Sequence, residues 1–177
     1  MKRALALLAV IFCTLALVAQ APAPLKPGPE HKNLDYFNGN WTLDGDFKPG
    51  PWGPGGKMSE TEHNTWMDGG FFLVSHIDFN GGSMGSGTGI SVMGYDPNTK
   101  MYTYDEYNSM GEAEHAAGTF DGTTWVWTSD ENMGGQKMKG RFSIKEISPT
   151  SYTFKFEMAP SGGDFATIMD GKATKSK

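Results

Sequence analysis

Residues 89–128 read GISVMGYD-PNTK-MYTYDEYNSMGEAEHAAGTF-DG-TTWVWT. Short runs rich in β-branched and aromatic residues alternate with turn chemistry. Asp96-Pro97-Asn98 places Asp first and presets Pro for the second turn position. Asp121-Gly122 is a two-residue hairpin signal, because both central positions need positive φ. The connections are too short for crossover helices, so the strands form antiparallel meanders.

The same pattern extends in both directions. Trp41, Leu43, Gly45 and Phe47 share one face of a first strand by period-two alternation. Strands are expected at 57–67 and 71–79, turned by Asp68-Gly69-Gly70, then at 137–147, 152–158 and 165–173. In the 137–158 hairpin, Met138, Phe142 and Ile144 join Tyr152, Phe154, Phe156 and Met158 on an apolar face. About ten antiparallel strands in hairpin order predict an all-β, up-and-down barrel, which removes the sheet edges. Leu34 and Phe37, three apart in a helical turn or two, are expected to plug one end.

Two registers follow from the turns. A two-residue Asp121-Gly122 turn pairs Phe120 with Thr123, Gly118 with Trp125 and Ala116 with Trp127, small against large. Around Asp96, the expected shared face holds Ile90, Val92 and Gly94 with Tyr102, Tyr104 and Glu106.

The chain opens MKRALALLAVIFCTLALVAQAPAP. Lys2 and Arg3 precede an apolar run from Ala4 to Val18, with small residues at Ala19 and Ala21. This is the pattern of a signal peptide, residues 1–19, and it is too short and wrongly flanked for a membrane span. A Pro-rich tether over 20–33 and a barrel domain over 34–177 follow. The expected destination is the periplasm or the exterior. Removing 1–19 takes away two positive charges and no acids, so the net charge goes from −5 to −7. An acidic domain argues against nucleic acid as a partner. Cys13, the one cysteine, leaves with the signal segment, so stability rests on the core that a domain of about 155 residues can bury rather than on disulfides.

At Leu34 to Thr42 (LDYFNGNWT), Met67 to Leu73 (MDGGFFL), Gly94-Tyr95-Asp96 and Gly118 to Gly122, the chain resembles the bacterial DUF1579 family. The resemblance implies a calycin-type barrel, and the Gly39-x-Trp41 start is similar to that of lipocalins and nitrobindins. It implies no activity. Lys172 or Lys175 stands where the family tends to carry an Arg, and Asn108-Ser109 stands where it tends to carry Asp-Ser.

Several motifs were weighed for chemistry. Gly81-x-Ser83-x-Gly85 has nucleophile-elbow spacing, but no helix is expected after it. His63 and His76 become cross-strand neighbours if Gly69-Gly70 is the turn, and weak metal candidates. The stronger Asp68-Gly69 signal places His63 opposite Val74 instead. A haem would need a His late in the chain, and the last is His115, so no cofactor is expected. Asn40-Trp41-Thr42 is a glycosylation sequon over a Trp expected to be buried.

The expected ligand-lining residues are Trp41, Tyr102, Tyr104, Glu106, Trp125, Trp127, Phe154 and Phe156, with Glu106 as a polar orienting group. They point to an exported barrel binding a small apolar or amphipathic ligand. The alternatives are an interaction protein with a filled core, using the Trp52 and Met84 loops, and an enzyme. The last is disfavoured because no catalytic constellation has defined spacing.

Overall fold

The computed structural model describes residues 25–51, 53–133 and 135–176. The expected signal peptide, the start of the tether and Trp52 lie outside the described residues.

A short helix α1 (Pro29–Asn33) and a 3-10 turn (Leu34–Tyr36) lead into ten strands. These are β1 (Gly39–Phe47), β2 (Gly56–Trp66), β3 (Leu73–Asn80), β4 (Ser86–Asp96), β5 (Met101–Asn108), β6 (Ala113–Phe120), β7 (Thr124–Met133), β8 (Gln136–Ser148), β9 (Ser151–Pro160) and β10 (Ala166–Lys175). Each strand pairs antiparallel with its sequence neighbours, and β1 pairs with β10 to close the barrel. The expected helical turns before β1 begin at Pro29, and His31 packs edge-on against Phe71 and Tyr95.

The turns fall where the sequence places them, but they are longer than expected. The Asp121 carboxylate accepts from the Thr123 and Thr124 amides at 2.9 and 2.8 Å. It thereby holds a four-residue loop, Asp121 to Thr124. Phe120 therefore pairs with Trp125, Gly118 with Trp127 and Ala116 with Ser129. The expected partners are wrong by two residues. The faces stand, because a shift of two preserves side-chain parity.

At the β4–β5 turn the faces do change. Asp96 accepts from the Asn98 amide at 2.9 Å, and Lys100 closes the loop at φ 58. Asp96 then pairs with Met101, which sets Ser91, Met93 and Tyr95 opposite Glu106, Tyr104 and Tyr102. Ile90, Val92 and Gly94 point outward, against expectation. At the β2–β3 turn, Met67 N–H donates to Phe72 O at 2.9 Å, while Gly69 and Gly70 take φ of 92° and 71°. His63 therefore sits opposite His76 and not Val74.

The helical lead-in closes one end. Leu34 and Phe37 are buried there with Trp41, Leu73, Tyr102, Trp125, Tyr152 and Ala173. Full burial of a large apolar side chain contributes about 1.5–3 kcal/mol. Hydrogen bonds fix the plug to the wall. Trp41 Nε1–H donates to Phe37 O at 2.8 Å, Asn33 Nδ2 to the Tyr102 hydroxyl at 2.8 Å, and the Tyr36 hydroxyl to Ser148 O at 2.9 Å. The opposite end carries the β1–β2, β3–β4, β5–β6, β7–β8 and β9–β10 connections.

Candidate functional site

The inward face of the barrel has two halves of different chemistry. From β8 through β10 to β1 it is apolar, with Met138, Phe142, Ile144, Phe154, Phe156, Met158, Leu43 and Phe47. From β2 through β7 it is mixed, with Leu73, Ile77, Met93, Tyr102, Trp125 and Trp127 inward beside a set of polar groups. Met58 and Trp66 share their parity with Glu60, Glu62 and Asn64, so the last three also point inward. Ser75 and Ser91 follow on β3 and β4, Tyr104 and Glu106 on β5, Glu114 on β6, and Ser129 and Glu131 on β7. On β4 Ser91 is buried inside while Ile90 and Val92 face outward, a local departure from the usual pattern of a soluble sheet.

These inward carboxyls are linked. Glu60 and Glu62 stand two residues apart on the same inward row of β2, and the charge of Glu62 acts on Glu60. Asn64 Nδ2 donates to Glu62 Oε2 at 2.9 Å and to Phe37 O at 3.0 Å. The Tyr104 hydroxyl donates to Glu106, and Glu106 stands directly opposite Glu114 on the neighbouring strand.

Burial governs their protonation. It pushes Glu60 well above the ordinary carboxylate range, with the charges of Glu62 and Glu106 adding to the shift. Glu62 and Glu106 are also raised, mainly by burial. Glu114 rises to about 7, through burial and then the charges of Glu106 and Glu131. Desolvation disfavours the charged form unless a counter-charge offsets it. The ion pairs among the described residues all lie at outward positions, from Lys57–Asp46 to Arg141–Glu157. The inward carboxyls therefore have no salt-bridge partner among the described residues. One buried acceptor is also left over, since Asn64 Oδ1 has no hydrogen-bond partner.

The residues expected to line a ligand space separate into two groups. Trp41, Tyr102, Trp125, Trp127 and Phe154 all point inward but are fully packed, mostly beneath the helical plug. Tyr104, Glu106 and Phe156 point inward and stay only half-buried. Glu60, Glu62, Glu114 and Phe142 share that state. All of these face the interior and keep some accessible surface. Glu60, Glu62 and Glu114 were not singled out from sequence. Their signal was the parity shared with Met58 and Trp66 on β2, and with Ala116 and Gly118 on β6.

The other candidates do not join this group. His63 and His76 are outward and exposed, and His63 Nδ1 lies 2.5 Å from Asn40 Oδ1. Among the described residues no group of three His, Cys, Asp or Glu is placed to hold a metal ion. His115 pairs with Asp105 on the outer wall. Gly82–Met84 is one 3-10 turn followed by β4, so Ser83 lacks the helix of a nucleophile elbow. Lys175, not the exposed Lys172, lies over Trp41, with Nζ 5.3 Å from the ring centroid and 3.2 Å from Tyr36 O.

Two outer clefts complete the surface. One, of about 700 Å³, runs between Asp44, Asp46, Lys57, Asp170 and Lys172. Lys57 pairs with Asp46 there, and Asp170 pairs with Lys48. The other, of about 540 Å³, lies over Ser59, Thr61, Asp78, Ser86 and Thr88. Among the described residues no helix is long and apolar enough to cross a membrane.

The barrel is similar to the crystal structure of Rv2717c from M. tuberculosis, with a TM-score of 0.60 at 12% identity over 85% of this chain and 99% of that one. At that identity the likeness is one of fold. No functionally curated protein matches the chain. A family model described as "Protein of unknown function (DUF1579)" matches residues 26–175, and the chain belongs to that family.

Proposed function

We propose that this protein is an exported binding barrel that takes a small amphipathic molecule into its lumen. One observation carries the reading. Tyr104, Glu106, Phe142 and Phe156 face inward yet keep accessible surface, so the interior is not packed solid at the level of these side chains. Sites for small molecules combine apolar walls with a few convergent polar groups. Here an apolar half faces a half bearing carboxyls and a tyrosine. Export rests on the Lys2-Arg3 start and the apolar run to Val18. Native mass spectrometry of the protein purified from its own exported compartment tests the binding reading. A co-purified small molecule that is released on unfolding is the expected result. Apo protein that takes up no amphipathic probe would leave the filled-core interaction protein as the better account.

A second reading, an enzyme, is favoured by the two carboxyls of Glu60 and Glu62 standing side by side on one inward row. Two carboxyls sharing a proton give one acid and one base in the same site. Turnover of a co-purified molecule, lost in Glu62→Gln with the molecule still bound, would favour it.

A further inference from the structure

We infer that the ligand of this lumen is a protonated primary amine carried on an apolar body. The inference rests on the binding reading above and deepens it.

Charge points to a cation. Glu60 and Glu62 on β2 face the same interior as Glu106 and Glu114 on β5 and β6, and their charges act on one another across it. The ion pairs of the described residues lie outside the barrel, and none reaches these four. Buried carboxylates without a partner are costly, and a bound cation relieves that cost.

A second, independent observation narrows the chemistry. Asn64 is fully buried on the same inward row as Glu60 and Glu62. Its amide nitrogen is used twice, on Phe37 O and on Glu62. Its Oδ1 has no donor. An orphaned acceptor beside a carboxylate calls for an N–H or O–H group. A primary ammonium supplies three such donors together with the charge. A quaternary ammonium supplies charge alone.

Two further features favour an organic cation. No trio of the described carboxyls and histidines converges closely enough for a metal ion. The wall opposite the carboxyls is apolar and aromatic, with Phe142 and Phe156 half-buried on it. That wall matches a hydrocarbon body, and its rings also attract a cation.

Isothermal titration of the mature protein with four ten-carbon probes tests this. The probes are decylammonium, decyltrimethylammonium, decanol and decanoate at neutral pH. Decylammonium should bind about tenfold or more tighter than decanol, since charge-assisted hydrogen bonds exceed neutral ones. Decyltrimethylammonium should fall between them, and decanoate should bind weakest. In Glu60→Gln/Glu62→Gln, which is isosteric, decylammonium should drop to the level of decanol while decanol itself is unchanged. The wild-type series stands without the variant if the variant misfolds. Decanol or decanoate binding as tightly as decylammonium would overturn the amine assignment and leave the binding barrel standing. Competition by millimolar calcium against decylammonium would also overturn it, in favour of a metal. No uptake of any probe would overturn both.

Discussion

Gly118 on β6 lies directly beneath the indole of Trp127 on β7, and a Cβ added there would stand 2.7 Å from Trp127 Cδ2. The glycine is a packing requirement, since glycine within a strand otherwise weakens it. Gly118→Val should destabilise the protein by about 1–3 kcal/mol through overpacking. Ala117→Val, on the outward face opposite Thr128, should cost less than about 0.5 kcal/mol. Urea unfolding compares the two. Trp127→Leu should partly rescue Gly118→Val, and Trp125→Leu should not. Rescue by Trp125→Leu instead would restore the register of a two-residue turn.

Stability should fall as pH rises through the neutral range. Glu114 is raised from 4.5 to about 7, and Glu60, Glu62 and Glu106 move in the same direction. The folded state therefore holds more protons than the unfolded state over that window. Stability is greatest below about 4.5 as far as these groups are concerned, and it declines up to about 7. The contribution of Glu114 alone is at most about 3 kcal/mol. Glu114→Gln should flatten that part of the slope in denaturant midpoints measured from pH 4.5 to 8. An unchanged slope would show that Glu114 is solvated.

Leu34 is 0% exposed under the plug, whereas Leu25 is 86% exposed on the lead-in. Leu34→Ala should cost about 2–5 kcal/mol, and Leu25→Ala less than about 0.5 kcal/mol. Thermal denaturation checks both. Equal, small effects would mean that the helical lead-in does not seal the barrel.

Cell fractionation with N-terminal sequencing checks export. The expected product is a mature form beginning near residue 20, outside the cytoplasm. A full-length cytosolic product would remove the exported part of the proposal.

The strands and turn sites were legible because period-two alternation and Asp/Gly punctuation are local. Faces were legible where one side is plainly apolar, as for Trp41 and Leu43 on β1 or Phe154 and Phe156 on β9. They were not legible on β4. Ile90 and Val92 read as core, yet Ser91 and Met93 face inward because the longer loop pairs Asp96 with Met101 and shifts the register by one. Alternation separates the two faces of a strand but does not say which one is inside. Turn length was the other missing quantity. The Asp96 and Asp121 carboxylates cap loops longer than a two-residue turn, and such side-chain capping sets the register. On β2 the local pattern alone does not set Glu60 and Glu62 apart from solvated carboxylates. The closed ring of strands turns them inward and brings them within reach of Glu106.

A crystal soaked with a bromine-tagged ten-carbon alcohol, with data collected at the bromine absorption edge, locates the ligand space. An anomalous peak inside the barrel, between Phe142 and Phe156 on one side and Tyr104 and Glu106 on the other, is the predicted result. A peak only in the outer clefts beside Asp44 and Asp170 or over Ser59 and Thr88, or no peak at all, would contradict a ligand-binding lumen.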